Sequence, residues 1–289
     1  MKIRTIVIAF LLSTYSSVSS SIEFKILGFN NNRYKNIEES IEKITEKIES
    51  DSKEYSKKIA ILFHGSEDNE YQEINDYDII IYFYINNFEY IKINETNITA
   101  IFSGQPIQRQ ISLALSINNE TGRLSIPWSK VSQLNKIEEQ YKKFPHIRWN
   151  IPMIRGESRD QTNISKSLHN ADALIAIDDT DIYNANSLRS ILLSAYRLRK
   201  PMIGPGPAFV KAGAMASVYS DLDDYLNELE SLIRAFLESG EVPEPRWPNN
   251  FDIIINDNVA RSLGYLGLDR DVLLKKIRMT EQTGDEQNP

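Results

Sequence analysis

The densest chemical feature of the chain is the acidic turn Asp178-Asp179-Thr180-Asp181, which follows the apolar run Ala171–Ile177. One of its carboxylates could hold an ammonium group. Equally, the aspartates could cap the next helix, whose first N–H groups lack partners and whose dipole favours negative charge. The glycine and ligand spacing of a calcium loop are absent, so no metal is expected there. A second feature is Gly204-Pro205-Gly206-Pro207. The two prolines lack the N–H donors that a phosphate-cradling loop needs, so a dinucleotide loop is a poor reading. The run reads instead as a rigid loop that either presents Phe209 to a cleft or packs it in a core. The three histidines, His64, His146 and His169, have no metal-ligand spacing. His64 lies near Ser66 and Asp68, but neighbours on one loop rarely form a catalytic triad. There is no cysteine and no G-x-S-x-G elbow. The expectation is a chain that is not an enzyme, with no catalytic residues, no cofactor and no metal.

Groups of this kind are useful only where a fold brings them together. Strand-like runs, Ile22–Leu27, Lys58–Phe63, Asp78–Tyr84 and Asn97–Phe102, alternate with helical patterns in the first part of the chain. Runs as apolar as KIAILF and DIIIYFY suit strands buried on both faces, the condition of a parallel sheet covered by helices. Further strands are expected over 123–127, 146–152, 171–177 and 201–204. The stripe Leu222, Leu226, Leu229, Leu232, Ile233, Phe236 and Leu237 predicts a helix that Gly240 stops. Phe251–Ile255 reads as a late strand, one that could cross back to the first lobe. A terminal helix is expected over 271–279, and a frayed tail after it.

This alternation predicts a doubly wound α/β fold with parallel sheets, and because the pattern starts afresh near Asn118–Gly122 it predicts two lobes. The boundaries expected are a first lobe over 21–117, a second over 118–250, and a crossover strand, terminal helix and tail over 251–289. In such sheets ligands gather at the carboxyl ends of the strands, where loops and helix N-termini converge. That rule selects His64-Gly65-Ser66, Ser103-Gly104-Gln105, the acidic turn and the Gly-Pro run.

With 41% hydrophobic and 25% charged residues, the 289-residue chain has a globular balance. Its formal charge of −7 gives no general attraction to nucleic acid or to anionic membrane surfaces. Lys2 and Arg4, the short apolar run Thr5–Leu12 and the small residues Ser16–Ser21 read as an export signal over 1–20, cleaved after Ser19 or Ser20. The apolar run is too short to span a bilayer, so the mature chain is expected to be exported and soluble, without stable membrane insertion.

Three long segments then carry a resemblance: TAIFSGQPIQRQISLAL, DIYNANSLRSILLSAYRLRKPMIGPGPAFVKAGAMASVYSDLDD and PRWPNNFDIIINDNVARSLG. They resemble the substrate-binding proteins of ABC transporters, in the type 1 periplasmic-binding branch that includes aromatic amino acid binders. The likeness runs from about Asn97 to Leu266, is strongest from Asp181 to Asp224, and is weak before residue 97. It implies two Rossmann-like, hinged lobes with a ligand cleft between them, which close in the periplasm on a small, amino-acid-like solute and pass it to an ABC permease in the inner membrane. Carried over by position, it implies Ser103, Gln105 and Pro106 on the first lobe's side of the cleft. On the second lobe's side it implies Asp178, Tyr183, Asn184 and Phe209. The chain departs from the family in its short first lobe, in the stretch Leu124–Trp128 and in having no lipid-anchoring cysteine. An alternative role for the same fold is a periplasmic sensor or accessory protein that modulates a membrane receptor or signalling protein.

Overall fold

The structure, a computed structural model, describes residues 22–27, 35–52, 54–63, 76–90, 96–154 and 160–285. The expected export signal lies outside the described residues, as do His64, Ser66 and Asp68. In chain order the first elements are β1 (Ile22–Leu27), α1 (Lys35–Asp51), β2 (Lys57–Phe63), β3 (Ile79–Ile85) and β4 (Ile98–Phe102). They are followed by α2 (Ile107–Ile117), β5 (Arg123–Ser125), α3 (Val131–Lys143), β6 (Arg148–Asn150), α4 (Asp160–His169) and β7 (Ala173–Ile175). Next come α5 (Leu188–Arg197), β8 (Met202–Gly204), α6 (Pro207–Ala212), β9 (Ala216–Tyr219) and α7 (Leu222–Ser239). The chain ends with β10 (Asp252–Ile255), α8 (Asp257–Leu263) and α9 (Arg270–Asp285).

These elements form two sheets, one in each lobe of an α/β fold. The first is parallel, in the order β1-β2-β3-β4. Its side chains alternate between faces, as the pleat requires. Ile59, Ile61, Ile79, Ile81, Phe83 and Ile101 share a core with Ile41 and Ile48 of α1, while Ala60, Leu62 and Ile80 form a smaller cluster. The second sheet runs β10-β9-β8-β7-β5-β6, parallel except where β10 meets β9. One core joins Leu124, Ala173, Ile175, Ala216 and Val218 to residues of α2, α3, α8 and α9. The other joins Leu174, Ala176 and Met202 to α4 and α5.

The lobes are not consecutive stretches of chain. Residues 107–117, expected in the first lobe, form α2, whose Ile107, Ile111, Leu113 and Ala114 lie in the second lobe's core. Residues 222–239, expected in the second lobe, form α7, whose Leu226, Leu229, Ile233 and Phe236 complete the first lobe's core. The late strand β10 does not return to the first sheet: it adds an antiparallel edge to the second. The boundaries at 117/118 and 250/251 therefore do not follow the cores. Instead the chain passes between lobes three times: after β4, after β9, and between Arg246 and β10. Arg246 extends the edge of β4 through a bridge to Ile101 before the last passage.

Local signals explain the ends of α7. The Asp221 side chain accepts from Asp224 N, the Asp224 side chain accepts from Asp221 N, and both distances are 3.0 Å. Gly240 closes the helix at φ 72°, a left-handed conformation that glycine adopts without penalty. At the C-terminus α9 continues through Asp285, beyond the expected start of a frayed tail.

A buried polar hub ties the three passages together. Gln105, on the first, donates to Ser220 Oγ on the second at 2.8 Å. Ser220 Oγ donates in turn to the Asn250 carbonyl on the third at 2.6 Å. Arg109 Nη1 donates to Gln105 Oε1 and to the Pro248 carbonyl, both at 2.9 Å. Its Nε meets Glu281 of α9 at 2.6 Å, and its guanidinium lies 4.0 Å from the Phe251 ring centroid. Burial lowers the Arg109 pKa, and Glu281 opposes that shift. Replacing Arg109 by Met leaves two interior acceptors without a donor and strands Glu281. Arg109→Met is expected to cost about 2–6 kcal/mol in chemical denaturation, about 1–3 kcal/mol for each acceptor left without a donor.

Candidate functional site

A cavity of about 280 Å³ lies between the lobes. Its wall is built from the carboxyl ends of strands in both sheets, as the topology of open α/β sheets requires. Phe63 ends β2, Tyr84 is near the end of β3, Asn86, Phe88 and Glu89 follow β3, and Ser103 follows β4. From the second lobe come Lys130 and Gln133 at the start of α3, and Asp178, Asp179 and Thr180 after β7.

The aromatic side owes its shape to an irregular strand. The pairing of β3 with β4 shifts register between Phe83 and Ile85, and Tyr84 between them has φ 66°. A left-handed tyrosine is uncommon and costs of order 1–3 kcal/mol. The bulge re-aims a side chain that regular pleating would direct elsewhere. Tyr84 stacks on Phe63 with ring centroids 6.1 Å apart and meets the edge of Tyr225 at 4.9 Å. Tyr225 is held by its hydroxyl, which donates to the Gly104 carbonyl at 3.1 Å. Phe88 reaches across the gap and packs against the second lobe's core.

The acidic side divides its work between neighbours. Asp179 is buried and structural: its Oδ2 accepts from Ser129 Oγ at 2.6 Å and from Gln133 Nε2 at 2.9 Å. Its Oδ1 accepts from Asp181 N at 3.0 Å. Gln133 Oε1 accepts from Ser129 N and Lys130 N, which fixes the entrance to α3. Asp181 lies 3.8 Å from Lys130. Asp178 instead faces the cavity and is solvent-accessible through it. The protein packed around it still removes hydration, and this burial, followed by the charges of Glu89 and Asp179, raises its pKa.

Polar contacts also join the lobes across the cleft. Asn86 Nδ2 is 3.4 Å from both the backbone carbonyl and Oδ2 of Asp178. Lys136 Nζ donates to the Asn87 carbonyl at 2.7 Å and also contacts Asn87 Oδ1. The same ammonium lies near the Phe88 and Phe102 rings, 6.0 and 5.8 Å from their centroids. Burial lowers its pKa. Beside the main cavity is a chamber of about 30 Å³ that shares Asn86, Phe88, Ser103 and Asp178 with it. Asn87, Gln105, Ile107, Gln110, Pro205 and Trp247 are among the residues that line the rest of it.

Of the seven residues expected at the cleft, Ser103 and Asp178 line the main cavity. Gln105 lines only the side chamber and spends its amide on the hub. Pro106 precedes α2 and borders a separate groove of about 440 Å³. Tyr183 is 6% exposed, sits in the core of α4 and α5, and packs edge-on against Phe209 at 5.8 Å. Burial pushes its hydroxyl pKa up. Phe209 packs beside Gly204, where an added Cβ would lie 2.5 Å from Phe209 Cβ, so the first glycine of the Gly-Pro run is needed for close approach. Asn184 is exposed, and its Oδ1 accepts from Asn186 N and Ser187 N at the start of α5. The structure therefore does not bring Tyr183, Asn184 and Phe209 to this cavity. Sequence reasoning missed Phe63, Tyr84, Asn86, Phe88, Glu89, Lys130 and Gln133. The strand-end rule would have selected several of them had it been applied to every strand.

Fold and site together define a two-lobed α/β protein with an interlobe cavity. No family model matches the chain, and no curated protein matches it. Solved structures do. The ligand-free, open form of a substrate-binding protein with adhesive properties from Clostridium difficile matches with a TM-score of 0.63 and 15% identity, over 86% of this chain and 96% of that one. An ABC domain in complex with L-Trp from Streptococcus pneumonia matches with a TM-score of 0.55 and 16% identity, over 89% and 98%. A conserved domain protein from Vibrio cholerae matches with a TM-score of 0.53 and 15% identity, over 82% and 81%. At these identities the likeness shows the type 1 periplasmic-binding architecture. Among the described residues no helix is long and apolar enough to cross a membrane, and no group of three or more His, Cys, Asp or Glu could hold a metal.

The raised pKa of Asp178 has a consequence for stability. Its ionisation is easier in the unfolded chain, so it works against folding above the ordinary aspartate range and has no effect below it. Asp178→Asn is expected to raise the melting temperature of the ligand-free protein at neutral pH. Thermal unfolding at a series of pH values should show the gain shrinking towards about pH 4.

Proposed function

We propose that this chain is an exported, periplasmic solute-binding protein of an ABC-type uptake system. It captures a small, amino-acid-like solute between its lobes and delivers it to an inner-membrane permease. The observation that carries this reading is the interlobe cavity, whose wall joins aromatic rings of one lobe to the acidic turn of the other. Export is supported by the N-terminal pattern of Lys2, Arg4 and the apolar run to Leu12, with cleavage after Ser19 or Ser20. Binding is assigned to Ser103 and Asp178, together with Phe63, Tyr84 and Phe88.

The physical scheme is closure by population shift. A solute that touches both walls binds the closed arrangement better than the open one, and that difference is the whole driving force. Phe63, Tyr84 and Phe88 supply apolar area, while Asp178 and Ser103 fix orientation. Three passages between the lobes, joined by the hub at Arg109, let the lobes turn as bodies while the cores stay packed.

The test is a thermal-shift screen of the purified chain against a metabolite panel, with amino acids first. At least one member should raise the melting temperature in a concentration-dependent way. Tyr84→Ala should weaken that ligand roughly three- to tenfold, the worth of one aromatic contact. No stabilisation by any member would overturn the reading.

A further inference from the structure

The charge of the cavity wall narrows the solute class, on the reading that the cleft binds a solute at all. Among the described residues, three carboxylates, Glu89, Asp178 and Asp179, line the main cavity against one ammonium, Lys130. Lys130 is already beside Asp181 at 3.8 Å, and Asp179 is satisfied by three donors within the protein. The charge left facing the cavity is therefore that of Asp178, with Glu89 close enough to act on it. Phe63, Tyr84 and Phe88 line the same cavity, and an aromatic ring attracts a cation through its quadrupole.

An independent observation comes from the side chamber. Gln110 is 2% exposed and lines that chamber, and its Oε1 is buried with no hydrogen-bond partner. A buried acceptor without a donor costs free energy, so a group that enters the chamber carrying N–H donors is favoured. The Trp247 indole N–H, also buried and without a partner, is a donor in the same wall. Asp178 borders both spaces, so an ammonium at the junction of cavity and chamber meets a carboxylate, and the chamber beyond it holds an amide acceptor without a partner. A carboxylate placed there would meet Asp178 and Glu89 instead.

We propose that the cleft selects organic cations: an ammonium, primary or alkylated, on an apolar or aromatic stem, with Asp178 as its counter-ion and Phe63, Tyr84 and Phe88 around it. The carboxylate of an amino-acid-like solute meets the same negative wall, so it weakens binding about tenfold relative to the bare amine. This class differs from a neutral sugar, which would leave Asp178 without a counter-charge, and from an anion.

Two matched series test the proposal by calorimetry on the full chain. The first is phenethylamine, phenylalanine and 3-phenylpropionate; the second is choline and glycine betaine. In at least one series the cation is expected to bind about tenfold or more tightly than its carboxylate-bearing partners, a difference worth about 1.4 kcal/mol. Asp178→Asn, which is expected to leave the fold intact, should remove that advantage. The proposal is overturned if the carboxylate-bearing member binds as tightly as the cation in both series. It is also overturned if the cation's advantage survives Asp178→Asn. If other members of the metabolite panel bind and no cation does, the charge class is wrong and solute capture stands. If neither the cations nor any panel member binds, both readings fall together.

Discussion

Much of this molecule depends on one buried guanidinium. Arg109 leaves α2 at the first passage between lobes and spends its donors on the first passage, the third passage and the C-terminal helix. Through Gln105 and Ser220 the second passage joins the same network. A guanidinium suits this post because its planar fork carries several donors and resists deprotonation even when burial works against its charge. The cost of desolvating it is offset by Glu281, two neutral acceptors and the face of Phe251. Each core is apolar and could form by hydrophobic burial alone. The relation between the cores has to be specified by directional contacts, and these are concentrated here.

The cleft obeys the opposite logic. Where the hub satisfies its polar groups, the cavity keeps groups that the fold would be more stable without. Tyr84 holds a left-handed backbone at a bulge, and Asp178 sits among like charges in a partly dehydrated place. Departures of this kind cluster where structure serves binding, because the surrounding elements over-determine the local conformation. Asp178 and Asp179 make the contrast within two adjacent residues. Asp179 is enclosed by donors and anchors α3 to the loop after β7, which holds its neighbour at the cavity wall.

The elements were largely legible in the sequence, and their assignment to lobes was not. Runs such as KIAILF and the leucine stripe of α7 announce themselves because burial on a pleated or helical surface imposes period two or 3.6. Strand β9 escaped notice, since ASVY among small residues has little apolar contrast, yet it occupies an interior place in the second sheet. Nothing in the periodicity of α2 or α7 states which sheet each covers. Both stripes are apolar enough for either, and only the three passages decide. At the site, the strand-end rule found Ser103 and Asp178 because their loops are polar and stand out. Phe63 and Tyr84 look like ordinary strand residues, and their exposure to the cavity comes from ending a strand and from a one-residue bulge. Tyr183 and Phe209 pack against each other in a core, a placement that their sequence neighbourhood does not reveal.

The contacts across the cleft set a condition on any ligand that works by closing it. Asn86 meets Asp178 at 3.4 Å, a long contact, and Lys136 meets the chain at Asn87 more closely. The first is made by the same carboxylate that a cation would engage, so such a ligand competes with Asn86 for Asp178. A weak contact at the point of recognition and a stronger one beside it form a useful division. The stronger contact favours the lobes together whether or not the cavity is filled, and the weaker one yields its partner at little cost. Affinity then depends on how much better the ligand fits between Asp178 and the aromatic wall than Asn86 alone does. Phe88 makes that comparison sensitive to closure, because its ring belongs to the first lobe's chain but packs against the second lobe's core. Separating the lobes exposes that ring and takes away one wall of the cavity in the same movement.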